Sequence, residues 1–559
     1  LFSLPSFGQY VSDSLYRPPV AEPLAISGNF DEIRPNAFHA GIDFKTSTLV
    51  GLNVCAVQDG YVSRIKVDLN GFGRALYIDH PNGTTSVYGH LEVFIGEVGR
   101  YCLTEQYRQK RFAVDINLKP GEIIIKKGDV IALAGNRGGS SGPHLHFEVR
   151  TTKTQNTLNV FKHTNLTVPD TTPPVIEKLW LYPLDVESTV EGKSYPVSYP
   201  IVTTDGLSTV ASPNPLKVTG NIGFGIQTYD LTSNSLNKVG VYSIEMFDND
   251  SLIFKQLIDS LSFDYMRYVN SVIDYGYYQK TGTRINKLFV QPNNKLKIYP
   301  YLEQRGILSF TDTCMKKMQI LVTDDFSNTN ALAFYVKSTG EIPTLPKKMK
   351  TGRVMHYQTD NYFKTEKIKL LIPKDALYDS LVFEYSVHPR KAGFYSELHQ
   401  VHNIYTALQK SCKLSVKPVG LPSRLINKAL LVSLDPAGKV NWSGGEFKDG
   451  FVTANIWRLG TYAVSVDTVA PQVQPLFSVS NFTDWTRIAF SAKDDLSGIN
   501  SYSGKIDDQW TLFEYDPKQD LLYYKFDPEH MQYGKTHKLE LVVLDAKGNK
   551  TVYTNEFYK

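Results

Sequence analysis

Two stretches of this chain open on the same turn-forming phrase and then pass through the same succession of strands. One begins Asp170-Thr171-Thr172-Pro173-Pro174-Val175, the other Asp467-Thr468-Val469-Ala470-Pro471-Gln472-Val473. Each continues into an alternating strand that ends in an acidic turn, Phe224 to Leu231 in the first and Ile488 to Leu496 in the second. Each closes on a strand and a polar turn, Leu321 through Asn328 and Val542 through Asn549. Period-two alternation bounded by Asp, Asn and Gly turns predicts β-sandwich structure, because successive strand side chains point to opposite faces. The second copy, 467–559, has the length of an immunoglobulin-like domain. The first copy, from about 170 to 338, is longer and needs an insertion, for which the aromatic-rich stretch Phe263–Tyr301 is the expected place. Between the copies, Pro343, Pro346 and a Lys-rich linker open a region whose strand-like pieces (Lys367–Ile372, Leu381–Val387, Tyr462–Val466) predict a further β-domain.

Composition agrees with this and removes several classes of function. With 34 Tyr and 29 Phe against 7 Met, the chain leans toward strands. At about 150 residues per domain, 559 residues make roughly four domains. Hydrophobic residues at 42% and charged residues at 21% exclude a disordered chain. A net charge of +4 is too small to argue for nucleic acid. The four cysteines, Cys55, Cys102, Cys314 and Cys412, form no C-x-x-C pair, which excludes a thiolate zinc site and a thioredoxin motif and leaves a structural disulfide open. No apolar run reaches the ~18 residues of a membrane helix. The chain starts at Leu1 with no basic-then-apolar leader, which leaves secretion open.

The chemistry is expected in the first 165 residues, which are Gly-rich and hold five of the twelve histidines: His39, His80, His90, His144 and His146. Read as a strand, 38–44 puts His39, Gly41 and Asp43 on one face and Phe38, Ala40, Ile42 and Phe44 on the other. Gly41 then clears space between an imidazole and a carboxylate able to hold a metal ion. Alone, the pair reads more simply as a half-buried strand with an exposed His and Asp. In the segment 135–149 a Gly/Ser loop feeds an alternating strand in which His144, His146 and Glu148 share one face and Leu145, Phe147 and Val149 the other. Two histidines at i, i+2 overlie one patch, so one can ligate a metal while its neighbour meets the reacting group. Asn82-Gly83 between two alternating runs predicts a hairpin, whose second arm presents Ser86, Tyr88 and His90 on one face. His90 is a further candidate imidazole.

Together these pieces resemble the lysostaphin/LytM-type zinc metallopeptidases, metallopeptidase family twenty-three. The shared features are H-x-x-x-D at His39–Asp43, Y-x-H-L at Tyr88–Leu91, and the loop 135–143 followed by H-x-H at His144–His146, within the string SSGPHLHFEVR. The resemblance covers roughly 25–155. It implies an antiparallel β peptidase domain holding one Zn2+ per chain, with His39, Asp43 and His146 as ligands and His90 and His144 as the catalytic histidines. Three protein ligands leave a fourth tetrahedral position for water, whose pKa zinc lowers from about 15.7 toward about 7. Base and oxyanion roles for His90 and His144 stay open. One departure is an insertion at about 99–120, basic through Arg100, Arg108, Lys110 and Arg111, with Leu103 and Tyr107 at helical spacing. It reads as a helix packed on the domain's flank, or else as a wall of the substrate groove.

The expected fold is therefore mainly β: an N-terminal segment 1–24, a LytM-type peptidase domain 25–165, an Ig-like sandwich with insertion 166–340, a β-domain 341–466 and an Ig-like sandwich 467–559. The resemblance implies a secreted, periplasmic or envelope-associated bacterial endopeptidase cutting peptidoglycan cross-links or stem peptides. The tail would be a spacer or docking module. Two rivals are a silent or autoinhibited wall-binding regulator and a surface adhesin acting through its β-domains. Neither nucleic acid nor a membrane span is expected, and oligomeric state is open. G-x-S-x-G at Gly138–Gly142 is set aside as a serine-hydrolase elbow, because Pro143 and a strand follow it where a helix is required. The absence of H-E-x-x-H excludes a thermolysin-like zincin. His399 and His402 read as ordinary polar residues.

Overall fold

Strand accounts for 46% of the computed structural model and helix for 8%, so the chain is mainly β as its alternation requires. The structure describes residues 15–559 except 205–206, 212–214, 234, 314 and 340–351. Cys314, the Pro343–Pro346 linker and the first fourteen residues of the N-terminal segment lie outside the described residues. Of the described cysteines, Cys102 and Cys412 are buried and Cys55 is half-buried.

The chain divides into two compact units. The first holds most of the N-terminal region and, among the described residues, continues to 339. Its N-terminal sheet contains β1 (Ile26–Gly28), β2 (Ile42–Lys45), β3 (Gly60–Val67), β4 (Arg74–Asp79), β5 (Thr84–Gly89), β6 (Val114–Asn117) and β7 (His144–Thr151). Their order across the sheet is β1-β2-β7-β5-β4-β3-β6. Two of the three pieces of chemistry thus lie on adjacent strands, and the third follows directly from their neighbour. One face of the sheet buries Ile42, Phe44, Tyr88, Leu145, Phe147 and Val149. The Phe147 ring packs 5.4 Å from Tyr88 and 6.1 Å from Phe44. The β4–β5 hairpin turns at Asn82-Gly83, with Gly83 at φ 82° and the Asn82 side chain accepting from the Thr84 amide.

The basic insertion carries the helix that its spacing predicts, and a longer one. A 14-residue helix, α1 (Gly96–Gln109), begins ahead of the expected insertion. Glu97 in its first turn and Arg108 in its last complement the helix dipole. Val98, Cys102 and Gln106 form its buried stripe.

Further along the first unit, a twelve-stranded sheet system includes β8 (Val175–Pro183), β9 (Leu216–Tyr229), β10 (Ser243–Asp248), β11 (Met315–Thr323) and β12 (Thr329–Ser338). Its core is aromatic, with Phe224, Phe254, Phe310 and Phe334 buried. The stretch 263–301 holds a 3-10 turn, two short helices, Val269–Val272 and Tyr275–Thr281, and a two-residue strand, Asn286–Lys287, that pairs with β9. The second unit carries two five-stranded and two four-stranded antiparallel sheets from 361 onward. The last pair of these sheets shares a core around Phe482, Phe490, Leu539 and Leu541.

Candidate metal centre

The centre is assembled by strand register. On β2 and β7 Asp43 stands directly opposite His146, and on the other side of β7 Gly89 stands opposite His146. Opposed residues of an antiparallel pair project to the same face, so Asp43 and His146 meet there. His39 enters from the loop before β2, tied by its amide to the Glu32 carbonyl at 2.8 Å. Three atoms converge: His39 Nε2 and His146 Nδ1 lie 3.0 and 2.9 Å from Asp43 Oδ1, and 3.0 Å from each other. All three residues are buried. In a tetrahedral site with bonds of about 2.0–2.1 Å, ligand atoms stand about 3.3 Å apart. Opening this triangle by a few tenths of an ångström seats a zinc-sized ion, so the donor set fits the group.

The outer nitrogen of each ring settles what the inner one offers. His39 Nδ1 donates to the Asn29 carbonyl at 2.7 Å, and His146 Nε2 donates to Glu148 Oε1 at 2.9 Å. With the outer nitrogen protonated, the inner nitrogen of a neutral imidazole carries a lone pair, which is what a metal ligand needs. His144 follows the same rule: Nδ1 donates to the Gly142 carbonyl at 2.8 Å, and Nε2 lies 3.3 Å from Asp43 Oδ1, buried and without a well-formed hydrogen bond. His90 donates from Nδ1 to the Arg137 carbonyl at 2.7 Å, its ring 4.8 Å from that of His144. The site is four imidazoles held from outside, with a carboxylate among them.

Charge is distributed unevenly in the metal-free chain. Burial works against ionised Asp43, but the surrounding His39, His144 and His146 hold its carboxyl well below the usual carboxylate range. Burial pushes His39 down. Burial, with His146 and His144 nearby, takes His90 down to about 3. His146 moves the other way: burial opposes its charge, yet Asp43 and Glu148 carry it up to about 9. Metal binding must therefore displace a proton from His146.

Several features differ from the sequence reading. Residues 39–41 are not strand, and Gly41 does not separate His39 from Asp43. A Cβ there would sit 2.2 Å from the Phe147 carbonyl oxygen, so glycine lets the loop close onto β7. Ser86 and Tyr88 do not share a face with His90. They pair with Val149 and Phe147 on the core side, and β5 ends at Gly89. His90 reaches the site because the chain turns there, at φ 58°. His80 is structural, bonded to the Asp59 carbonyl and Ser86.

Three supporting residues carried no sequence signal. Arg34 pairs with the second oxygen of Asp43. Phe72 stacks on His146 at 4.8 Å. Asn29, whose carbonyl holds His39, is itself gripped by the Gly240 backbone and by Asp325 Oδ2 at 3.2 Å, both from the region carrying β8–β12. That region thus helps position a candidate ligand, which a simple spacer would not. Glu148 was placed on the right face without a role. It is fully buried and bridges His146 to Arg150. Glu148→Gln keeps the shape but removes the charge that orients His146, so zinc affinity should fall about 10–100-fold, as metal competition with a chromophoric chelator would measure.

Residues 37–102 match the profile of Peptidase family M23, and residues 352–467 match that of a Zu5-like domain. An uncharacterized metalloprotease of Haemophilus influenzae is 34% identical over 116 residues, which are 21% of this chain and 18% of that protein. The DD-carboxypeptidase/endopeptidase Mpg of Neisseria meningitidis is 31% identical over 112 residues, 20% of each chain. The chain thus spans about a fifth of the length of the curated relatives it matches. Among solved structures, the catalytic domain of the antimicrobial peptidase lysostaphin from Staphylococcus simulans is 22% identical at a TM-score of 0.17, covering 22% of this chain and 78% of that one.

Proposed function

From the premise that this chain carries a LytM-type peptidase domain of family M23, we propose that it is a zinc-dependent endopeptidase hydrolysing peptide bonds of peptidoglycan cross-links or stem peptides. The observation that carries this reading is the triangle of His39 Nε2, Asp43 Oδ1 and His146 Nδ1, with His144 Nε2 aimed at the same point. His39, Asp43 and His146 hold the metal. When bound there, zinc supplies a Lewis acid that makes water acidic enough to attack a carbonyl at neutral pH.

The chain's own groups do the rest. Asn29 and Glu148 fix the tautomers of the two ligand histidines, and Arg34 occupies the second oxygen of Asp43, leaving the first to the metal. His144, locked through Nδ1 with Nε2 turned toward Asp43, takes a proton from the attacking water and returns it to the departing amine. His90 supplies a second neutral imidazole beside it, able to accept a hydrogen bond or relay that proton. The substrate class follows the relative named as a carboxypeptidase/endopeptidase and implies action in the bacterial envelope or outside the cell. Among the described residues no helix is long and apolar enough to cross a membrane.

The test is digestion of purified peptidoglycan by the full chain, with fragments identified by mass spectrometry beside a chelator control. Released peptides that vanish with chelator, from a chain holding about one zinc, are the expected result. No release, or release indifferent to chelator, overturns the reading.

A further inference from the structure

Three carboxylates meet at the entrance to the β8–β12 region. Asp170 lies just before β8, Asp230 just after β9, and Asp324 just after β11. Their oxygens lie within 4.8 Å of one another. Asp324 and Asp230 are 1% and 3% exposed. Asp324 is satisfied by its own turn, accepting from the Phe326 and Asn328 amides and from the Asn328 side chain. Asp170 spends Oδ1 on the Thr172 amide and the Ser233 hydroxyl, leaving Oδ2 buried with no hydrogen-bond partner. Asp230 Oδ1 is likewise buried and unpartnered, although the Asp230 backbone is pinned to Val239 in both directions. The charges that act most strongly on Asp230 are Asp324, Asp170 and Asp325, all of one sign. Two orphaned carboxylate oxygens within one cluster of three carboxylates are costly to bury unless something positive stands among them.

The arrangement occurs twice. In the second unit Asp467, Asp494 and Asp545 come together in the same way, at the matching places of the sequence echo. Asn549 bridges Asp545 to the Asp467 carbonyl just as Asn328 bridges Asp324 to the Asp170 carbonyl. Asp494 Oδ1, like Asp230 Oδ1, has no partner. Asp494 is only half-buried, so the first cluster carries the inference and the second marks it as a recurring device.

We propose that Asp170, Asp230 and Asp324 form a Ca2+ site, separate from the peptidase centre, that ties the entry to the β8–β12 region to two of its strands. Oxygen-only donors select a hard divalent cation. Three carboxylates from three chain segments suit calcium, whereas Mg2+ is usually held by one or two carboxylates and keeps its waters. Asp325, next in the chain, holds Asn29 and through it His39, so the bound ion would steady the turn on which that support rests.

The test is equilibrium dialysis of the full chain, loaded with one zinc, against Ca2+. Asp230→Asn should bind one Ca2+ fewer than the unaltered chain, and Asp170→Asn should bind at least about tenfold more weakly at the same site. Circular dichroism confirms that each variant is folded, and Asp170, the more exposed of the two, supplies the readout if Asp230→Asn is not. An unaltered chain that binds no Ca2+, or variants that bind as much and as tightly, overturns the site. Preference for Mg2+ in the same dialysis overturns the choice of calcium.

Discussion

Asp43→Ala and His146→Ala should each bring zinc content from about one equivalent per chain toward zero and remove peptidoglycan hydrolysis with it, as elemental analysis and fragment release would record. The two changes should act alike because Asp43 Oδ1 is the shared vertex of the triangle and His146 stands opposite it in strand register. Loss of either leaves two donors, too few for a catalytic zinc site. Proton competition gives the same prediction a pH signature. In the metal-free chain His146 titrates at about 9, raised against burial by Asp43 and Glu148. Below that pH one proton must leave for each metal bound, so zinc affinity should fall about tenfold per pH unit on acidification. His39, pushed down by burial, adds no competing proton near neutrality. In Glu148→Gln the slope should begin at lower pH, because the charge that raises His146 is gone. A chain holding full zinc with Asp43 or His146 replaced would remove the ligand assignment.

The sequence made the residue types legible more readily than the means of positioning them. Alternation correctly set Ile42 and Phe44 against Asp43 and Leu145 and Phe147 against His146, because a half-buried strand imposes period two. The same rule failed at His90, where β5 stops and a positive φ redirects the chain, something alternation cannot encode. It also misread Gly41, whose neighbour in space is the Phe147 backbone, distant in sequence. Arg34, Phe72 and Asn29 were invisible for the same reason. Their roles are contacts across the fold, and no local spacing marks an Asn whose side chain is held by Gly240 and Asp325. The echo of Asp170 and Asp467 was legible as a repeated turn. Its meaning as a convergence of carboxylates required the topology that brings β8, β9 and β11 together at one end.

His144→Ala should separate metal holding from chemistry. Its zinc content should match that of the unaltered chain, while turnover falls about 10²–10⁴-fold, the usual contribution of a positioned proton acceptor. That loss corresponds to about 3–5 kcal/mol in the barrier. His144 is i−2 from His146 on the same face of β7, and its Nε2 lies 3.3 Å from Asp43 Oδ1, so it borders the triangle without being needed to close it. Its Nδ1 is locked to the Gly142 carbonyl, at the end of a loop packed so closely on Gly71–Gly73 that a Cβ on Gly138 would sit 2.3 Å from the Gly73 amide nitrogen. The opposite pattern, zinc lost in His144→Ala and kept in His146→Ala, would exchange the roles of the two histidines. Geometry opposes that exchange: His146 stands opposite Asp43 in strand register, with Nδ1 2.9 Å from Asp43 Oδ1, whereas His144 stands opposite Lys45 and its Nε2 lies 3.3 Å from that oxygen.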